Sequence, residues 1–287
     1  YQVGRMTGKT VYNMGMGGYG PNQYYHLLKT HLEDLNPRIV LCGLYMGDDF
    51  ENAYSITYGL DHWSFLRTAG MSGADPDIWE VMGSPGLSKR LRVWLSRNSV
   101  LYQLVVHGPV LGWIKGWIQV EQARRDPDPS TTVLVEEEKN IREAFRPIGM
   151  EKRLNRQNPF LREGFRITAV LLKGMKEWCD RHGSRFAVVL IPTKEMVFAE
   201  YLRGNPGIPL HEIIDELLKN EEETRRELLE FLEQQDIPCI DALPSLRRAV
   251  GNGLYTKSDK DMHPNGKGYG MIAESVSRFL EETGWLR

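Results

Sequence analysis

Cysteine is scarce in this chain. Cys42, Cys179 and Cys239 are three among 287 residues, an odd number with no metal-ligand spacing. That argues against a disulfide framework and leaves the compartment open. Cys42 and Cys239 lie in apolar, strand-like runs, where a free cysteine usually serves as small core filler. An excess of one charge is also lacking. The 36 Lys and Arg face 38 Asp and Glu, for a net charge of −2. Nothing there suggests a nucleic-acid or polyanion partner, and Arg124-Arg125 is too short for a basic patch. No apolar run is long enough for a confident membrane span. The least charged stretch, residues 98–114, is interrupted by His107, Gly108 and Pro109. It reads as a surface or cap helix, with interfacial membrane contact a minor alternative. Internal repeats and low-complexity segments are absent. The chain opens at Tyr1-Gln2-Val3, already inside sequence that reads as folded, so an N-terminal piece carrying any targeting segment is expected upstream.

What is present is an alternation of strand and helix patterns. Residues 10–14 form a short β-type run, followed by the glycine-rich turn Gly15-Met16-Gly17-Gly18-Tyr19-Gly20-Pro21. Tyr24, Leu27, Leu28, Leu32 and Leu35 then recur at helical spacing until Asn36-Pro37. Residues 38–46 are nearly all apolar, as in a strand covered on both faces of a parallel sheet, and stop at Gly47-Asp48-Asp49-Phe50. Between 51 and 160 strand signals are few, and helical patterns appear at 87–106 and 110–120. This region reads as a mainly helical insertion or lid containing one charged loop. Trp63, Trp79, Trp94, Trp113 and Trp117 within it are expected to pack on the main domain. The alternation resumes with a helix over 161–182 and a buried strand over 185–191 that ends at Pro192-Thr193-Lys194-Glu195. Further helices are expected near 196–202 and 221–235, a short strand at 237–240, a brief helix at 243–250, and a final amphipathic helix. The whole is a single α/β domain over 1–287 with 51–160 inserted.

Chemistry in an open parallel sheet gathers beyond the carboxyl ends of the strands. The polar turns at 15–20, 47–49 and 192–195 lie at such ends. The glycine turn fails the last position of a dinucleotide fingerprint and has no Walker Lys, so a nucleotide site ranks low. Ser258-Asp259-Lys260-Asp261-Met262-His263-Pro264 offers a His beside a carboxylate just before a helix, a common presentation of a general base. The same run also reads as a plain helix N-terminus, with Asp as cap and Pro264 in the first turn.

In order and spacing these blocks resemble the SGNH (GDSL-type) hydrolases, a family of esterases and acyl transferases. Asn13-x-Gly15-x-Gly17-Gly18 resembles the block whose glycine N–H enters the oxyanion hole, which places Gly18 there. Gly47-Asp48-Asp49 resembles the Gly-Asn-Asp block, with Asp48 at the position of a second oxyanion donor. Asp261-Met262-His263 resembles the block that holds the triad Asp and His. The resemblance implies a three-layer αβα, flavodoxin-like parallel sheet and a Ser-His-Asp acyl-enzyme mechanism on a small-molecule or glycan ester. It implies no metal or organic cofactor. It also carries an inclination toward a bacterial extracytoplasmic location, periplasmic or membrane-anchored. Oligomeric state is not legible.

Three positions depart from the pattern. The Gly-Asp-Ser nucleophile block is absent and is expected upstream of Tyr1, by about 30 residues or more before the Asn13 block. Its absence would remove the first strand of the sheet and leave this chain inactive alone. Asp48 stands where an Asn is usual, and an ionised carboxylate only accepts hydrogen bonds. Lys260 occupies the usual acid position, so Asp261 is the better candidate and Asp259 the fallback. A degenerate site of this kind motivates an alternative, a non-catalytic domain binding carbohydrate or an acyl group.

Overall fold

The structure, a computed structural model, describes residues 2–71, 131–256 and 262–287. In chain order the elements are α1 (Gln2–Thr7), α2 (Pro21–Leu35), β1 (Ile39–Tyr45), α3 (Asp49–Gly59), a 3-10 turn (Asp61–Leu66), β2 (Thr132–Glu136), β3 (Ile141–Phe145), α4 (Pro147–Leu154), α5 (Pro159–Arg181) and β4 (Arg185–Ile191). Then follow α6 (Lys194–Val197), α7 (Ala199–Leu202), α8 (His211–Gln234), β5 (Cys239–Asp241), α9 (Leu243–Arg248) and α10 (Gly266–Glu282). Among the described residues the main sheet is parallel, in the order β1-β4-β5.

The expected buried strands form where the apolar runs lie. Alternate residues of β4 face opposite ways. Phe186, Val188 and Leu190 join a core with Leu28 and Leu32 of α2 and Leu172 and Met175 of α5. Ala187 and Val189 join a second core with Leu217 of α8 and Ile272 and Val276 of α10. Helices therefore cover both faces of the sheet. This is an α/β fold compatible with three αβα layers.

Helix α3 packs directly against α5. A Cβ on Gly164 would lie 2.0 Å from the Phe50 carbonyl oxygen, with no flexible side chain to yield. Gly164→Ala is thus expected to force the two helices apart at a cost of about 3 kcal/mol. Thermal unfolding monitored by circular dichroism checks this, and an unchanged midpoint would refute it.

The structure corrects three expectations. Residues 10–14 are not a strand: they have no ladder partner among the described residues, and Val11 and Tyr12 are exposed. An extended segment becomes a strand only when its N–H and C=O groups meet a neighbour. The region 51–160 also holds the antiparallel hairpin β2–β3, so it is less uniformly helical than its sequence suggests. Finally, α8 begins at His211, before the apparent start near 221, and carries the buried Ile214, Leu217 and Leu218 in its added turns. Trp63 is buried and packs edge-on against Tyr25. The helices expected at 87–106 and 110–120, and the other four tryptophans of that region, lie outside the described residues. Among the described residues no helix is long and apolar enough to cross a membrane.

Candidate functional site

The register of β1 and β4 builds the site edge. Tyr45 pairs with Ile191, so both strands end level. Met46 N donates to Ile191 O at 2.9 Å and continues the ladder by one step. The Gly47-Asp48-Asp49 turn and the Thr193-Lys194-Glu195 turn therefore leave the sheet side by side.

The His263 loop reaches the same edge. Tyr255 bridges to Pro264, and Asn265 N donates to Leu254 O at 2.8 Å. The Asn265 side chain donates to the carbonyls of Gly253 and Tyr255, both at 2.9 Å. Its Oδ1 accepts from Lys267 N and Gly268 N, capping α10. So the helix cap is Asn265, not the preceding Asp. This leaves His263 exposed, next to the pinned Pro264 and Asn265. Its imidazole lies against the Tyr45 ring, with centroids 4.9 Å apart and planes inclined by 36°. Asp48 is half-buried in the neighbouring turn. Burial raises its carboxyl above the usual range, while Arg153 and His263 act in the opposite direction.

The glycine turn connects to this edge through Tyr24. Its hydroxyl donates to Tyr19 O at 2.9 Å and lies 3.1 Å from Asp49 Oδ1. The other oxygen, Oδ2, accepts from Tyr45 N at 2.7 Å. One hydroxyl proton cannot serve both Tyr19 O and Asp49 Oδ1. Burial holds the Asp49 carboxyl well above the usual carboxylate range, and a protonated Asp49 resolves the count. Gly18, just before Tyr19, is exposed with φ of +80°, a conformation that favours glycine. Its exposed turn is thus tied to the Asp48-Asp49 turn, and that turn to His263.

Beneath Tyr45 lies a buried polar cluster that sequence reading did not detect. Lys194 is fully buried. Its Nζ lies 2.7 Å from Glu143 Oε2 on β3, donates to Ala144 O at 3.1 Å, and sits over the rings of Phe145 and Tyr255. Glu221, on α8, accepts from Thr193 N at 3.0 Å and from the Thr193 hydroxyl. Glu195 is fully buried, and among the described residues neither carboxyl oxygen has a hydrogen-bond partner. The hydroxyls of Tyr45 and Tyr255 are also buried without partners among the described residues. Burial pushes Glu195 up to about 7, offset only partly by Lys194. Burial likewise pushes Glu221 up to about 7 against the bonds from Thr193. The available signal was a Lys-Glu pair wedged between the apolar runs 186–191 and 196–199. Solvated charges rarely sit so.

Of the four site residues expected from sequence, His263 lies against Tyr45, Asp48 lies in the turn that follows Tyr45, and Gly18 is linked to that turn through Tyr24. Asp261 lies outside the described residues, as do Asp259 and Lys260. All three cysteines are free, and burial raises their thiols. Among the described residues no group of three or more His, Cys, Asp or Glu could hold a metal ion. Comparison with protein-family models, with curated proteins and with solved structures gave no match.

Proposed function

We propose that this chain carries the base side of an SGNH-type acyl-transfer site, acting on a small-molecule or glycan ester as a hydrolase or an O-acyltransferase. The observation that carries this reading is the exposed His263, seated on Tyr45 beside the Asp48 turn at the carboxyl edge of a parallel sheet. His263 takes the proton of a serine supplied by polypeptide preceding residue 1. Asp261 orients the imidazole and stabilises its charged form. The Gly18 N–H faces the oxygen that gains charge in the tetrahedral intermediate. In this reading the sheet is flavodoxin-like, and the preceding polypeptide adds a strand along β1, whose other edge has no strand beside it among the described residues.

The experiment compares residues 1–287 with the protein extended upstream, using an aryl acetate as the acyl donor and water as the acceptor. The extended protein is expected to turn it over, with His263→Ala reducing kcat by about 10³-fold or more. The chain 1–287 alone is expected to be inactive. Turnover by 1–287 that His263→Ala abolishes would point to another nucleophile. An inert extended protein that still binds a polysaccharide would favour the alternative, a non-catalytic carbohydrate- or acyl-binding domain. Acylated sugar formed from an acyl donor and a polysaccharide separates transferase from hydrolase.

A further inference from the structure

We propose that the Tyr45–Asp48 turn backs His263 and favours its protonated form, in addition to the role given to Asp261: Tyr45 is a positioning residue whose ring is the wall behind the imidazole, and Asp48 is a second carboxylate near it. This gives Asp48 a role other than oxyanion donor, and it rests on the reading of His263 as the base.

The geometry begins at Tyr45. Its ring is nearly buried, at 8% exposure, and the chain doubles back over it. A Cβ on Gly47 would lie 2.5–2.7 Å from Tyr45 Cε1, Cζ and Oη, so only a glycine lets the turn close this tightly. The Tyr45 N–H is fixed by Asp49 Oδ2. On the other side, Asn265 pins the His263 loop through three carbonyls. Two fixed walls meet at the Tyr45–His263 contact. Its 4.9 Å separation and inclined planes fall within the range that aromatic pairs prefer.

The electrostatics select Asp48 from its neighbours. Asp49 is committed to Tyr45 N and to the Tyr24 hydroxyl. Asp48 follows Gly47 directly, beside the stacked rings, and interacts with both His263 and Arg153. Arg153 is already paired with Glu51 at 3.1 Å. A carboxylate cannot donate to an oxyanion. It can attract an imidazolium, which forms when a histidine takes a proton in catalysis. Among the described residues, the other titratable groups that act on Tyr45 are Glu195, Glu221 and Tyr255.

The test is nuclear magnetic resonance on the chain 1–287, which needs no turnover. In the wild-type chain, cross-relaxation is expected between the Tyr45 and His263 ring protons. Its absence would overturn the proposal. Titration followed at the His263 ring is expected to shift in Asp48→Asn toward easier deprotonation, by roughly tenfold in the protonation constant. Tyr45→Leu is expected to remove the ring-current displacement of the His263 protons, and Tyr45→Phe to keep it. Since Tyr45→Leu could unfold the chain, the wild-type cross-relaxation and the Asp48→Asn titration stand as independent tests. An unchanged titration in Asp48→Asn overturns the role of Asp48 whatever the esterase assays show. If the spectra behave as expected and the extended protein shows no turnover, only the acyl-transfer reading falls.

Discussion

Lys194→Met is expected to destabilise the protein by about 3–5 kcal/mol, the usual cost of removing one partner of a buried ion pair. Lys194 has no exposure, and Glu143 is 4% exposed. Removing the ammonium leaves the Glu143 carboxylate without the cation 2.7 Å away, inside a cluster that already contains Glu195 and Glu221. It also removes the donor to Ala144 O, and with it the tie between the β2–β3 hairpin and the turn after β4. The variant carrying both Lys194→Met and Glu143→Met should recover most of the loss, because paired charges replaced by apolar groups of similar size no longer need mutual solvation. Urea unfolding of the two single variants and the double variant at pH 7 closes the cycle. If Lys194→Met costs no more than a surface substitution, the ion pair is not buried as described.

The second large effect is on pH dependence. Glu195 and Glu221 have carboxyls raised from 4.5 to about 7, chiefly by burial. Between those values the folded protein holds protons that the unfolded chain has released. Stability must therefore fall as pH rises through this window. The contribution is fully present below the unfolded value and is lost as pH passes the folded one. For a single carboxyl this amounts to about 3 kcal/mol. Glu195→Gln keeps the shape and cannot ionise. The variant is expected to gain on the wild type by about that amount between pH 5 and pH 8, read as the difference between their denaturant midpoints at each pH. Parallel stability curves would show that Glu195 is ionised at no such cost. Glu221→Gln is a poorer probe, since its amide would meet the Thr193 N–H and hydroxyl now donating to the carboxyl.

The two effects share a cause. The turn after β4 places Lys194 and Glu195 in the space under Tyr45, where water does not reach, and Tyr45 is the ring against which His263 rests. The polar cluster and the exposed imidazole are thus both neighbours of Tyr45.

Much of the frame is legible in the amino-acid order. Residues 39–45 and 186–191 are apolar without interruption, and a strand buried on both faces needs just that. Phe165, Ala169, Leu172, Met175 and Cys179 recur at helical spacing, and α5 spans Pro159–Arg181. The polar turns after these strands, and the His loop before the last helix, mark the candidate site because a parallel sheet gathers its chain ends on one edge. Other features depend on partners that local sequence does not name. Residues 10–14 have strand composition, yet a strand exists only with a ladder neighbour. The hairpin was masked because Val133 and Val135 blur the alternation and Glu143 points inward to Lys194. The burial of Lys194 required Glu143 from a distant element, since a charge stays out of water only where another group meets it. The sequence alone therefore determined the βα order and where the polar turns lie. Tertiary structure decided which of their charges are buried, and that the Tyr45 ring meets His263.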